Sequence, residues 1–258
     1  MLVDTHCHLD FDRFDGDRDA VVARAAAAGV TRVIVPSLDL ENAGAVLRLA
    51  ERYDAIYAAV GVHPNSASGW QPAWLDAIRT LARHDKVVAI GEIGLDYYWD
   101  RTPIATQHAA FAAQLALAAE LELPVIVHNR EASEDVLRLL AESPLAGRAE
   151  PGVLHSFSAP LAVAEEALAA GYYLGFTGPL TFPKAGELRA IAAATPPERL
   201  LVETDAPFLA PQAHRGKRNE PAYVALVAEQ LAALHGKRAE EMAAQTTANA
   251  RRLFGPAL

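Results

Sequence analysis

Short runs of apolar, β-branched residues recur along the chain, each followed by a longer stretch whose apolar positions return every three to four residues. The runs fall at residues 2–5, 32–35, 56–62, 87–91, 124–128, 152–155, 172–176 and 200–204, and they read as buried strands. The stretches between them, at 17–28, 40–53, 72–83, 106–121, 133–142, 160–169 and 184–194, read as helices, with two more near 221–234 and 238–254. Strands alternating with helices predict parallel βα units. The number of units and the length of the chain predict a single (β/α)8 TIM barrel over residues 1–258, with one extra C-terminal helix.

A doubly wound sheet shares this alternation, and two observations favour the barrel. Nearly every strand ends in polar, ionisable or Gly/Pro-rich residues, as a ring of active-site loops requires. The first strand is followed by His6-Cys7-His8 and not by a Gly-rich dinucleotide fingerprint. Pro196-Pro197 reads as a helix-to-strand turn, and no linker, repeat or low-complexity segment appears.

Composition narrows this picture. Of 258 residues, 52% are hydrophobic and 21% charged, ample for a full core. No uninterrupted apolar stretch is long enough to span a membrane, and the start, Met1-Leu2-Val3-Asp4, lacks the pattern of a secretory signal. The single cysteine, Cys7, leaves no internal disulfide and fits a reducing compartment, so a cytoplasmic location is expected. A monomer is the expected state, although no pattern in the chain fixes it. A net charge of −9 argues against a general polyanion-binding surface. It does not exclude a nuclease, because bound cations reverse the sign locally.

The chemistry sits at the strand ends. On an extended segment His6 and His8 face one side, about 7 Å apart along the chain by the strand rise, and can reach one metal ion between them. Glu92, in Ile90-Gly91-Glu92-Ile93-Gly94-Leu95-Asp96, stands where a buried strand emerges between glycines that permit close approach. A solvated glutamate is the commoner fate, but a carboxylate here can bridge two cations through its two oxygens. His128 and His155 are each the first polar residue after an apolar run. One such histidine is ordinarily a hydrogen-bonded core residue; two at equivalent strand ends are hard to attribute to packing. Asp205 closes Glu203-Thr204-Asp205 before Ala206-Pro207, where a turn cap is the plain alternative to a ligand and proton acceptor. Glu203 shares its face and is expected to support the ligands.

His63, in Gly61-Val62-His63-Pro64, belongs to no ligand pair and is assigned to substrate phosphate or transition-state contact. Asp96 and Arg130 join it as candidate substrate contacts. So does the basic loop His214-Arg215-Gly216-Lys217-Arg218, through His214, Arg215, Lys217 and Arg218, although a charge run is usually a solvated turn. Trp70, Trp74, Trp99, Tyr97 and Tyr98 are candidates for base stacking, against the commoner role of half-buried packing. His84, His108 and His235 fall on expected helices and read as solvated.

Taken together, His6-x-His8, Gly91-Glu92-Ile93-Gly94-Leu95-Asp96, Val127-His128-Asn129-Arg130, His155-Ser156-Phe157-Ser158 and Glu203-Thr204-Asp205-Ala206-Pro207 resemble the TatD family of metal-dependent nucleases. Gly61-Val62-His63-Pro64, Arg215-Gly216-Lys217-Arg218-Asn219-Glu220-Pro221 and Asn249-x-x-Arg252-Leu253-Phe254 match as well, so the likeness covers the whole chain. It implies a TIM-barrel hydrolase of the amidohydrolase type, acting on DNA or RNA phosphodiesters with two divalent ions. By position it implies one ion on His6, His8, Glu92 and Asp205, and another on Glu92, His128 and His155. Ala159 stands where the family commonly has glycine, which alters a loop and removes no ligand. Relatives in the wider superfamily often bridge their metals with a modified lysine; no lysine ends an expected strand here, so Glu92 takes that place.

The expected chemistry is two-metal phosphodiester hydrolysis, with Glu92, Asp205 and His63 as the catalytic groups. A 3′–5′ exonuclease on single-stranded or frayed ends is expected over duplex cutting, since a barrel mouth is concave and the chain lacks a long basic groove. Mixed His/carboxylate ligands admit Zn²⁺, Mn²⁺ or Mg²⁺, and Ni²⁺ or Fe²⁺ as well. Two alternatives remain: the same metals acting on a small ester, lactone or amide, and a noncatalytic nucleic-acid- or partner-binding protein on a barrel scaffold.

Overall fold

The computed structural model describes residues 1–256 and 258. Among them, eight parallel strands stand in one sheet in the order of the sequence: β1 (Leu2–Asp4), β2 (Val30–Pro36), β3 (Ile56–Val60), β4 (Val87–Asp96), β5 (Val125–Arg130), β6 (Gly152–Leu154), β7 (Tyr173–Phe176) and β8 (Leu200–Val202). The last strand lies beside the first, where the amide of Thr5 donates to the carbonyl of Val202 at 3.2 Å and Cys7 forms a parallel bridge with Ala206. The fold is a (β/α)8 TIM barrel. Its helices are α1 (Arg18–Ala27), α2 (Leu40–Arg52), α3 (Ala73–Leu81), α4 (Ile104–Glu120), α5 (Ser133–Glu142), α6 (Leu161–Ala169), α7 (Gly186–Ala194), α8 (Val224–Leu234) and the added C-terminal α9 (Ala239–Phe254). No helix of the described residues is long and apolar enough to cross a membrane.

The expected elements are all present, and the departures have physical causes. β4 runs on through Glu92 to Asp96 because β5 continues beside it, pairing Ile93 with Val127 and Asp96 with Arg130. Glu92 therefore lies within a strand and not where it emerges. Gly94 is needed less for ligand approach than for this pairing: at φ +142° its backbone suits glycine, and a Cβ would meet the carbonyl oxygen of His128 at 2.0 Å. β8, by contrast, stops at Val202 and leaves Asp205 in a turn at φ +53°.

Two compact units make up the chain. The first comprises residues 1–35, 156–164 and 173–258. Its core holds Leu9, Phe14, Ile34, Tyr173, Phe176, Leu200 and Leu201. The added helix α9 is fastened to β8 by the amide of Asn249, which donates to the carbonyls of Pro197 and Leu200 at 2.8 Å each. This meets backbone acceptors at the strand start that burial would otherwise leave unsatisfied.

The second unit comprises residues 36–155 and 165–172. Every residue of β3 and β4 is buried, as strands covered on both faces require. Ile56, Ile78, Ile90, Ile93, Phe111, Leu115 and Ile126 form its core, each worth about 1.5–3 kcal/mol on full burial. Two buried glutamines stitch α4 to strand ends: Gln114 exchanges hydrogen bonds with the backbone of Val62, and Gln107 does so with that of Asp96.

Candidate metal centre

Each unit carries one group of histidines and carboxylates. In the first, the chain leaving β1 brings His6 and His8 together, their Nε2 atoms 3.3 Å apart and their rings edge to face at 5.0 Å. Cys7 between them turns away, its thiol against the carbonyl of Ala206. Asp205 Oδ1 stands 3.7 Å from Nε2 of His6 and 3.4 Å from that of His8. Its place follows from the closure of the barrel: its amide donates to the carbonyl of His6 at 2.8 Å, and its side chain keeps 16% of its surface exposed.

Beneath this group, Asp4 accepts from the amide of Thr204 at 2.9 Å and from its hydroxyl at 2.6 Å. Complete burial pushes the Asp4 carboxyl up to about 8 against the pull of these hydrogen bonds. Glu203 is fully buried and accepts the amide of Ser156 at 2.8 Å. Ser156 sits at φ +45°, a left-handed backbone held by that bond. Gly175 leaves the space for the Glu203 carboxylate, since a Cβ there would lie 2.1 Å from its Oε1.

In the second unit Glu92 is the centre. Its Oε1 lies 2.8 Å from Nδ1 of His128, 3.0 Å from Nε2 of His155 and 3.5 Å from Nε2 of His63. His128 turns its other nitrogen, Nε2, to Asp96 Oδ2 at 3.1 Å. Burial opposes charge on this imidazole, but the hydrogen bonds to Asp96 and Glu92 outweigh it and hold the ring up at about 9. Burial likewise opposes ionisation of Asp96, yet the bonds from His128, the Trp99 amide and Asn65 hold its carboxyl well below the usual range.

Asp96 thus differs from the expected substrate contact. It is buried, and its oxygens accept from His128, Asn65, and the amides of Tyr98 and Trp99. His63 also differs, standing within the group and not apart from it. Its ring packs against that of His128 at 4.5 Å, while its Nδ1 accepts the amide of Asn65.

The basic loop is divided. Arg218 is committed to Asp17 through two hydrogen bonds of 2.8 and 2.7 Å and donates to the carbonyl of Arg13. Arg215 lies over Phe182, His214 stacks on Tyr223 at 3.6 Å, and Lys217 is exposed. Arg130 lies over the ring of Tyr98 at 3.9 Å. Of the helix-assigned histidines, His84 meets Glu51, His108 meets Tyr97 and His235 meets the carbonyl of Ala192, so hydrogen bonds and not solvent alone engage them. Asp4, Asn65 and Gln107 escaped the sequence reading. A polar residue inside the first apolar run was the one available signal for Asp4; Asn65 and Gln107 carried none.

The donor atoms suit a divalent cation. In His6, His8 and Asp205, and again in His63, Glu92 and His128, one ligand atom from each residue lies within 4.8 Å of the others. Two imidazole nitrogens aimed at each other, beside a carboxylate, present converging lone pairs that a cation satisfies together. If Nδ1 of His128 binds, its Nε2–H donates to Asp96, the outer carboxylate that fixes the tautomer of a ligating histidine.

Groups of histidines and carboxylates carried by the strands of a (β/α)8 barrel and the turns that follow them mark a metal-dependent hydrolase. Residues 3–255 match the model of the family described as TatD related DNase, and the chain belongs to that family. It is similar to YabD of Bacillus subtilis, an uncharacterized metal-dependent hydrolase, at 46% identity over 98% of this chain and 99% of that one. The 3′-5′ ssDNA/RNA exonuclease TatD of Klebsiella pneumoniae is 41% identical over 98% of both chains. The crystal structure of YJJV, a TatD homolog from Escherichia coli K12, superposes with a TM-score of 0.91 at 38% identity, covering 98% of this chain and 97% of that one.

Proposed function

We propose that the protein is a two-metal nuclease that removes nucleotides from the 3′ ends of single-stranded DNA or RNA. The observation that carries this reading is the gathering of His128, His155 and His63 around one carboxylate oxygen of Glu92, at 2.8, 3.0 and 3.5 Å. The group of His6, His8 and Asp205 supports it, as does the likeness to proteins named as ssDNA/RNA exonucleases. His6, His8 and Asp205 would hold one divalent ion, and Glu92, His128 and His155 another. Such ions supply Lewis acidity, lowering the pKa of water and offsetting charge on phosphate oxygens.

The chain's own residues do the rest. Asp205, partly exposed in its turn, takes the proton of the attacking water. His63, with Nδ1 occupied by the Asn65 amide, presents Nε2 to the developing charge on phosphate. Asp96 holds His128 in one tautomer, so that ligand does not reorganise during the reaction.

A chain labelled at its 5′ end, with a free or a phosphorothioate-blocked 3′ end, separates the modes of cutting. Release of successive 3′ nucleotides from the free substrate alone is expected; equal cutting of both, or of a circular strand, contradicts exonuclease action. A small ester or lactone as substrate gains weight from Arg218, whose charge Asp17 already offsets. Salt decides between the two: turnover of a polyanion weakens with ionic strength, and that of a neutral ester does not.

A further inference from the structure

The segment following β4 carries two large aromatic side chains toward solvent. Tyr98 is 50% exposed and Trp99 44%, although burial is the norm for rings of this size. They are not loosely placed. The amides of both residues donate to Asp96 Oδ1 at 3.0 Å each, and the same carboxylate receives Nε2 of His128 through its other oxygen. One step back, Tyr97 is anchored by its hydroxyl to Asp135 at 2.7 Å and to His108. Two exposed rings are therefore mounted on a fixed backbone, two hydrogen bonds from the ligand group of Glu92.

We propose that Tyr98 and Trp99, with Arg130, form a stacking platform for an unpaired base at the end of a single-stranded nucleic acid, and that this deepens the nuclease reading on which it rests. The rings stand at 89° with centroids 4.9 Å apart, so they cannot share one base as parallel plates. One ring takes the base face and the other closes its edge. Arg130, from the end of β5, lies 3.9 Å over Tyr98 and 5.8 Å from Trp99, and Arg101 lies 5.2 Å from Trp99. A guanidinium plane adds a surface on which a base stacks.

Charge contributes little here. Asp100 and Glu131 stand beside the two arginines in sequence, within a chain of net charge −9. Stacking is indifferent to salt and tolerant of base identity, because every base has a π-face. The platform therefore selects unstacked bases over paired ones and depends weakly on ionic strength, unlike a phosphate-binding groove. Such a preference suits a nuclease that acts on loose ends.

The test uses metal-stripped protein in chelator, so that binding is read without turnover. Fluorescence anisotropy measures affinity for a labelled oligothymidylate and for the same chain with abasic sites at its 3′ end. Wild type is expected to bind the base-bearing chain more tightly, by about 5- to 150-fold per stacked base. Tyr98→Ala with Trp99→Ala should bring both chains to the same weak affinity. Tyr98→Phe with Trp99→Phe should keep the preference, which a collapsed loop would not. The preference should also persist when salt is raised several-fold. Wild type binding both chains alike, or the alanine variant retaining the preference, overturns the platform. Separately, failure of metal-restored wild type to cut the oligothymidylate overturns the nuclease reading; cutting base-bearing and abasic ends alike overturns the platform alone.

Discussion

Asp96 Oδ2 lies 3.1 Å from Nε2 of His128, on the side of the ring away from Glu92. On the proposed reading that placement casts Asp96 as a positioning residue, a carboxylate buried at the end of β4 against the ring of His128. Asp96→Asn keeps the shape and removes the charge that favours an N–H at Nε2. Its affinity for the ion at His128 is expected to fall about 10- to 100-fold, measured by competition with a chromophoric chelator. An unchanged affinity contradicts this role.

Glu92→Gln and Asp205→Asn preserve size and remove one ligand and one proton acceptor. Each is expected to lower kcat by about 10²-fold or more, with circular dichroism and the thermal midpoint near those of wild type. Undiminished cleavage of single-stranded DNA by Asp205→Asn contradicts the assignment.

The ion pair of Asp17 has a defined pH signature. Hydrogen bonds from Arg218 and then Arg24 hold its carboxyl down at about 2, below the usual 3.8. A depressed carboxyl contributes stability that is present above its unfolded pKa and lost as pH falls toward the folded one. The urea midpoint of wild type should exceed that of Arg218→Met at neutral pH, and the gap should close as pH falls from about 4 to about 2. A gap that is the same throughout contradicts this account.

Gly175 and Glu203 are coupled by space. Gly175→Ala forces a methyl to within 2.1 Å of the carboxylate and is expected to cost about 1–3 kcal/mol in thermal or urea unfolding. In Glu203→Ala the same change should cost much less, because the clash is gone. Equal costs in the two backgrounds contradict the cradle.

Much of this was legible in the chain because buried parallel strands are continuous apolar runs, and the first polar residue after each marks the strand end. That reasoning singled out His6, His8, His128 and His155 as candidates, yet His128 stands inside β5, which runs on to Arg130, and not at its end. It misjudged Glu92, because a strand's end depends on how far its neighbour continues, and β5 carries β4 on to Asp96. It also did not reveal the partners of Asp96 and Arg218, since His128 and Asp17 are 32 and 201 residues away in sequence. No local pattern encodes such pairings. Asn65 and Gln107 were invisible for the same reason, being ordinary polar residues until the fold places them against Asp96.

Stripping the protein of metal and titrating a divalent cation back, while following release of nucleotides from a 3′ end, tests the proposed metal-dependent nuclease. No release is expected in chelator, with activity that rises as cation is added and a break at about two equivalents per chain for a tightly held ion. Full activity in chelator, or saturation at a fraction of one equivalent, would contradict it.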